Sequence, residues 1–300
     1  MPLDQPMNFR GRWVLVTGAS SGLGREFARH LARDYGANLV IVARRRDRLE
    51  ELRSELESAH RVRVRSVTAD LSNLSEVDGL LADLKGGEQL YAAILNAGVT
   101  HFGRYHELDF ADFQKMLNTN VSSVVRLSSE LVPYIEHGAP GGGLLFVSSM
   151  AGIFPVPYQT AYSGTKAFIV HYACGLWHEL RDRDVSISTY APGGIVTEMT
   201  GGERFVPLRR FLMPVDAAAR EGLEAFRRRE YLRIPGLSNR LGASVARLLP
   251  RRLLTEWVAA TYRGALEKTE RTAPPVSRIV ETAPRTEAER TERAASGGAE

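Results

Sequence analysis

Two side chains in the stretch "YSGTK" could move a proton between them. Tyr162 and Lys166 stand four residues apart at the start of the otherwise apolar run "AFIVHYACGLW". On a helix of roughly 3.6 residues per turn this spacing puts both on one face, polar ends within reach of each other. A free phenol has a pKa of about 10, and moving it by one pH unit takes about 1.4 kcal/mol. An acid useful near neutrality therefore needs roughly 4 kcal/mol of differential stabilisation. A neighbouring ammonium supplies part of that in a partly dry site, and a second positive charge would add to it. Two further polar residues fall in useful places. Ser149 ends an apolar run thirteen residues before Tyr162, and Asn120 sits in "NTNVSS" inside a long helical stretch. An inward-facing asparagine there needs hydrogen-bond partners.

The elements that must hold these residues alternate. "RWVLVTG" reads as a strand and "REFARHLARDYG" as a helix with a glycine stop. "NLVIVAR" is a second strand, followed by the charged helix "RDRLEELRSELESA". The pattern continues through "VRVRSVTADL", "LYAAILNAG", the helix "DFQKMLNTNVSSVVRLSSELVPYIE", "GLLFVSS", the Tyr162 helix and "VSISTYAPGG". Nearly continuous apolar strands alternating with helices predict an α/β fold, a doubly wound parallel sheet covered on both faces, with ligands at the carboxyl ends of the strands.

The first strand meets the first helix in "TGASSGLG", Thr17, Gly18, Ala19, Ser20, Ser21, Gly22, Leu23 and Gly24. Its glycines allow a tight turn and close approach of a pyrophosphate to free helix N–H groups. The second strand ends in "VIVARRRDR", where Arg44, Arg45 and Arg46 stand and no acid precedes Asp47. An acid at this point would suit the ribose 2′-hydroxyl of NAD, whereas guanidinium forks suit a 2′-phosphate, so NADP is the expected cofactor. The alternative is that the arginines only begin a solvated helix. Asp70 and Leu71 of "TADL", and Asn96, Ala97 and Gly98 of "NAG", end the third and fourth strands on the same rim, where they would line adenine and its ribose.

The chain has 300 residues, 39 basic and 35 acidic, the profile of a soluble globular protein. Its positive charge is spread widely and no base-reading or zinc motif accompanies it, so neither a nucleic-acid partner nor a metal is expected. The one cysteine, Cys174, rules out an internal disulfide and fits a reducing, cytoplasmic setting. It reads as a buried structural thiol. The N-terminal stretch has neither a basic segment nor an apolar run, so no secretory leader is expected, and no run is long enough to span a bilayer.

Taken in order, "TGASSGLG", "NAG", the asparagine of "TNV", the serine of "VSSMAG", "YSGTK" and "PGGIVT" resemble the short-chain dehydrogenase/reductase family over roughly residues 10–200. The resemblance implies a Rossmann fold in which Tyr162 donates and accepts the proton. Ser149 would polarise the substrate carbonyl, and Lys166 would hold the nicotinamide ribose and lower the phenol's pKa. Asn120 would hold a water linking Lys166 to solvent. Pro192, Gly193, Ile195 and Thr197 would contact the nicotinamide end, and the oxidised ring would bring the second positive charge. Threonine precedes the lysine where the family more often has serine, which keeps a hydroxyl there. The implied activity is interconversion of a ketone and a secondary alcohol. A catalytically idle NADP-binding regulator or scaffold is the competing reading, opposed by the intact Asn, Ser, Tyr and Lys set.

The expected organisation is a catalytic domain over residues 8–200, a helical substrate lid over 201–267 and a disordered tail over 268–300. Residues 204–263 hold thirteen arginines and no lysine against five acids, interleaved with apolar patches. That segment could line an apolar pocket, rest on a lipid surface in peripheral membrane contact, or simply pack on the core or a partner subunit with its arginines solvated. Long-chain members of the family carry similar C-terminal extensions, so the resemblance implies a lipophilic substrate such as a 3-oxoacyl or steroid-like ketone. The resemblance also suggests a homodimer or homotetramer built on the helices around 112–136 and 160–182.

Overall fold

The computed structural model describes residues 5–272. Seven strands form one sheet, all parallel: β1 (Trp13–Thr17), β2 (Asn38–Ala43), β3 (Val64–Thr68), β4 (Leu90–Leu95), β5 (Gly142–Val147), β6 (Val185–Tyr190) and the two-residue β7 (Leu232–Arg233). Their order is β3-β2-β1-β4-β5-β6-β7, so the chain reverses its direction of growth between β1 and β4. A crevice opens at such a switch point, beyond the strands' carboxyl ends.

Strand period sets the two cores. Val14 and Val16 of β1, with Leu39 and Ile41 of β2, face the layer of α1 (Gly22–Arg33), α2 (Arg46–Ala59) and α7 (Val215–Arg227), where Phe27, Leu49 and Phe226 are fully buried. Leu15, Val40 and Val42 face the opposite layer. That layer consists of α3 (Leu74–Gly86), α5 (Ser123–Gly138) and α6 (Thr160–Glu179), with Leu84, Leu131 and Ile169 at its centre. The expected long helix around Asn120 is α4 (Phe110–Leu117) running into α5 through a π-helical turn, Asn118–Ser122.

Three expectations change. The alternation of strand and helix does not stop at residue 200. α7 packs on α1 through Leu223 and Phe226, and β7 pairs with β6, Leu232 opposite Thr189. The segment was expected to be helical, but the arginine-rich composition of "EAFRRRE" hid that this helix joins the sheet fold, and a two-residue strand carries no readable period. The sheet fold therefore takes in residues 215–233, beyond the expected boundary. Next come α8 (Leu237–Leu248) and α9 (Arg251–Thr272), so residues 268–272 of the expected tail are helical, and 273–300 lie outside the described residues. Cys174 is half-buried, its sulfur 4.0 Å from Thr189 Oγ1.

Candidate active site

The turn after β1 is built for close packing. Gly18 has φ of 71° and Gly22 of 53°, values that favour glycine. A Cβ on Gly24 would lie 2.6 Å from Asn96 Nδ2 and run into the Gly18 carbonyl oxygen. Gly24→Ala must therefore push α1 away from the ends of β1 and β4. Overpacking of this kind costs about 1–3 kcal/mol, which for a chain of this size lowers Tm by roughly 2–10 °C in a thermal melt. An unchanged melt would show that the turn yields freely.

Thr17 and Asn96 tie the strand ends together. The Thr17 hydroxyl donates to the Ile94 carbonyl (3.3 Å) and accepts from the amides of Asn96 (2.9 Å) and Ala97 (3.1 Å). Asn96 Nδ2 donates to the Thr17 carbonyl at 3.0 Å. Both side chains thus shape the crevice floor. The N-terminus of α1 faces the crevice with Ser21 as N-cap, no side-chain cap on its amides and no acid in its first turn. Such an end favours an anion through its unsatisfied N–H groups. Leu23 is buried beneath it. Thr197 closes over Gly22, whose Cβ would lie 3.2 Å from Thr197 Cβ.

The arginines after β2 separate. Arg44 is 65% exposed at its side chain, 4.0 Å from Asp70, whose Oδ1 accepts from the amide and hydroxyl of Ser72. Leu71 is buried behind Asp70. Arg45 turns inward. Its Nε and Nη2 donate to Ser20 Oγ at 3.2 and 3.1 Å, and its Nη1 donates to Glu198 Oε2 at 2.8 Å. Arg45 and Ser21 both bond the Glu198 carboxylate and hold it below the usual range. The sequence reading missed Glu198, because only the fold brings residues 45 and 198 together.

The proton-handling residues converge from three elements. Asn120 is wholly buried in the π turn, where its Oδ1 accepts from the Val99 amide (2.9 Å). Its Nδ2 donates to the Val99 carbonyl (2.9 Å) and to Thr165 Oγ1 (3.0 Å). Thr165 donates in turn to the Tyr162 carbonyl at 2.7 Å, so the threonine of "YSGTK" links α6 to the asparagine. The π turn widens the helix locally, a distortion common at functional positions, and turns Asn120 inward. A Cβ on Gly98 would lie 3.3 Å from both Asn120 Oδ1 and Lys166 Nζ, which fixes those groups around the end of β4. Lys166 is 4% exposed and donates to the Val147 carbonyl at 3.0 Å.

Ser149 follows β5, hydrogen-bonded to the Ala151 amide (3.1 Å) and the Pro192 carbonyl (3.4 Å). The docking of α6 on this turn is close: a Cβ on Gly152 would stand 2.5 Å from the Lys166 carbonyl oxygen. Ser163 fastens the same contact, donating to the Ala151 carbonyl at 2.6 Å. Ile195 is buried and bridges Met213, while a Cβ on Gly193 would meet Asn239 Nδ2 of α8 at 2.9 Å.

The electrostatics add a condition to the expected role of Lys166. Burial pushes the Tyr162 phenol up to about 12, only partly offset by a hydrogen bond from Ser149. Lys166 Nζ lies 5.9 Å from the Tyr162 ring centroid, pointing at Val147. Burial lowers the ammonium to about 8. The chain's own groups therefore keep the phenol protonated, and the lysine is not yet placed to lower its pKa.

Helix α9 covers this centre. Leu254 and Val258 pack with Ala151, Val156 and the Tyr162 ring, and Tyr262 joins that cluster. Tyr262 also stands edge-on to Phe102, ring centroids 5.3 Å apart. A cleft of about 540 Å³ opens alongside, with Phe102, Met199, Phe205 and Leu266 on its walls and Glu203 and Arg204 at its rim.

A topological switch point, a glycine turn under an uncapped helix and a Ser, Tyr, Lys and Asn cluster beyond the ends of β4 and β5 define a dinucleotide-dependent dehydrogenase architecture. The short chain dehydrogenase family model matches residues 12–204, and the chain belongs to that family. It is 31% identical over 194 residues to the very-long-chain 3-oxoacyl-CoA reductase-A of Danio rerio, covering 63% of this chain and 60% of that protein. The chain thus matches less than two thirds of that relative's length. It is 32% identical over 189 residues to sulfoacetaldehyde reductase 2 of Chromohalobacter salexigens, covering 62% of this chain and 74% of that protein. Among solved structures, a short-chain dehydrogenase from Sphingobium yanoikuyae in complex with NADPH superposes with a TM-score of 0.72 at 27% identity. That match covers 88% of this chain and 97% of the other.

Proposed function

We propose that the protein interconverts a ketone and a secondary alcohol with NADP(H), acting on a lipophilic substrate of the 3-oxoacyl or steroid-like class. The observation that carries this reading is the convergence of Ser149, Tyr162, Lys166 and Asn120 beyond the carboxyl ends of β4 and β5. The residues present suit the cofactor. The turn of residues 18–24 and the α1 amides would take the pyrophosphate, Arg44, Arg45 and Ser20 the 2′-phosphate, and Thr197 and the turn at Pro192 the nicotinamide end. Bound NADPH would supply the hydride and, once oxidised, a positive charge.

The chain does the rest. Ser149 Oγ, held near the end of β5, donates to the substrate carbonyl oxygen and fixes it beside the phenol. Tyr162, kept protonated by burial, gives its proton to the developing alkoxide; in the reverse direction it must first lose that proton. Lys166, which donates to the Val147 carbonyl in the chain alone, would hold the nicotinamide ribose, and its charge would then favour the phenolate left behind. Asn120, fixed by Val99 and Thr165, sits behind Lys166 where a water can relay the proton outward. α9 keeps bulk water off the pair, which strengthens each of these interactions.

Support for the substrate class comes from the wall above Tyr162. Val156, Leu254, Val258 and Tyr262 make it apolar, and the adjoining cleft joins apolar Phe102, Met199, Phe205 and Leu266 to polar and charged residues that could fix a substrate's polar end. The test is a titration with NADPH and NADH, followed by cofactor oxidation against carbonyl compounds running from short aldehydes to long-chain 3-ketones. Turnover rising with chain length is expected. Turnover confined to the shortest carbonyls would remove the lipophilic assignment.

Glu198 bears on cofactor choice. Its carboxylate occupies Arg45, which a 2′-phosphate would also need, so the two anions compete. Glu198→Gln is expected to tighten NADPH roughly three- to tenfold and to leave NADH within about twofold, measured by fluorescence titration. Weaker NADPH binding in that variant would mean that the acid supports the site.

A further inference from the structure

Helix α8 carries its large apolar residues on the wrong side for a helix that only packs on a core. Leu237, Leu241, Val245 and Leu248 recur at intervals of four, four and three and so share one helical face. That face is turned to solvent: Leu237 is 71% exposed and Leu248 86%. The inward contacts are made by small residues. Ala243 packs on Ala191 and Ile234, and Ala246 joins the cluster around Tyr162. α9 continues the pattern. Its inner face gives Leu254, Val258 and Tyr262 to the active-site wall, while Leu253 is 56% and Trp257 70% exposed on its outer side.

The sequence along this face is predominantly basic. The sequence from 237 to 257 holds four arginines, at 240, 247, 251 and 252, and one acid, Glu256. Arg252 is 89% exposed at its side chain and meets Glu256 at 3.0 Å. Arg251 is exposed and makes no ion pair among the described residues. Arg240 pairs with Glu221. Apolar side chains with an indole and flanked by arginines form the pattern that lies in the interface of an anionic bilayer. No helix among the described residues is long and apolar enough to cross a membrane, so α8 and α9 would lie on the surface. A second copy fits less well. A twofold contact sets the same patch against itself, and here that would bring Arg251 and Arg252 of one copy towards those of the other.

We propose that the outer face of α8 and α9 docks on an anionic lipid surface, Leu241, Leu248, Leu253 and Trp257 entering the headgroup boundary and Arg251 and Arg252 meeting acidic headgroups. The inference does not rest on the substrate assignment. It has a consequence for it: α9 touches the lipid with one face and covers Tyr162 with the other, so a docked protein holds its substrate cleft at the bilayer.

The test uses the full chain with vesicles of phosphatidylcholine alone and with about 30% phosphatidylserine added, since anionic lipid contributes about 1 kcal/mol per basic residue near the surface. Co-sedimentation and a blue shift of tryptophan emission, assigned to position 257 by its loss in Trp257→Phe, report docking. Binding to the anionic vesicles is expected, reduced at least tenfold by Arg251→Glu with Arg252→Glu, and likewise by Leu241→Asp with Leu248→Asp. All four substitutions are at exposed positions, and a thermal melt confirms that each double variant is folded. The proposal is overturned if the wild-type chain does not partition onto anionic vesicles. It is equally overturned if neither double variant weakens binding, or if light scattering shows the face occupied in a dimer that Leu241→Asp with Leu248→Asp separates.

Discussion

Tyr162→Phe is expected to lower kcat for ketone reduction by about 10²–10⁴-fold, the range for losing a positioned general acid, while the Kd for NADPH moves less than about threefold. The substitution removes one oxygen and keeps the ring that packs with Val156, Leu254 and Val258. Tyr162 is expected to be one cofactor contact among many, so binding and catalysis should separate in that variant. pH dependence adds a second signature. With burial holding the phenol near 12, the reducing direction has its acid in place throughout the neutral range. Alcohol oxidation needs the phenolate, so its rate rises with pH. Lys166 is charged below about 8 and neutral above it, so support for the phenolate is lost as pH climbs through that value. The rate of oxidation should thus rise more shallowly above pH 8 than below it. A Tyr162→Phe enzyme that turns over as the wild type does would exclude the phenol as proton donor and lend weight to a protein that binds NADP without using it.

Arg44→Ala combined with Arg45→Ala carries the next largest effect. Each guanidinium can give a phosphate charge-assisted hydrogen bonds of roughly 1.5–3 kcal/mol, and each 1.4 kcal/mol is a tenfold change in Kd. Part of Arg45 is already engaged by Ser20 and Glu198, so the double variant is expected to weaken NADPH by about 10²-fold, not the full product. NADH, which lacks the phosphate, should change by less than about threefold. Equal losses for both cofactors, read by fluorescence titration, would return the arginines to the role of a solvated helix start.

How much of this the sequence disclosed depends on range. Strand runs such as Leu39–Val42 are buried on both sides and so read as continuous apolar stretches, which made the parallel sheet visible. The glycine turn and "YSGTK" are local, their chemistry written within a few residues. What stayed hidden was long-range. Glu198 reaches Arg45 across 153 positions. Tyr262 meets Phe102 and the Tyr162 cluster only because α9 folds back over the site. β7 was invisible because two residues have no periodicity. The position of Lys166 in the chain alone was hidden for a related reason. Helical spacing placed it near Tyr162, but the Val147 carbonyl, contributed by a neighbouring strand, claims its ammonium. The π turn at Asn120 likewise follows from how α4 and α5 meet the end of β4, and no residue of "NTNVSS" announces it.

The most direct measurement of the central claim follows NADPH carrying deuterium at the transferable position, with a long-chain 3-ketone, in wild-type protein and in Tyr162→Phe. The expected result is an alcohol labelled at the carbinol carbon by the wild type, with Tyr162→Phe binding the labelled cofactor normally and forming product at least a hundredfold more slowly. Unlabelled alcohol, or no alcohol from any ketone despite tight NADPH binding, would contradict a hydride transfer completed by Tyr162.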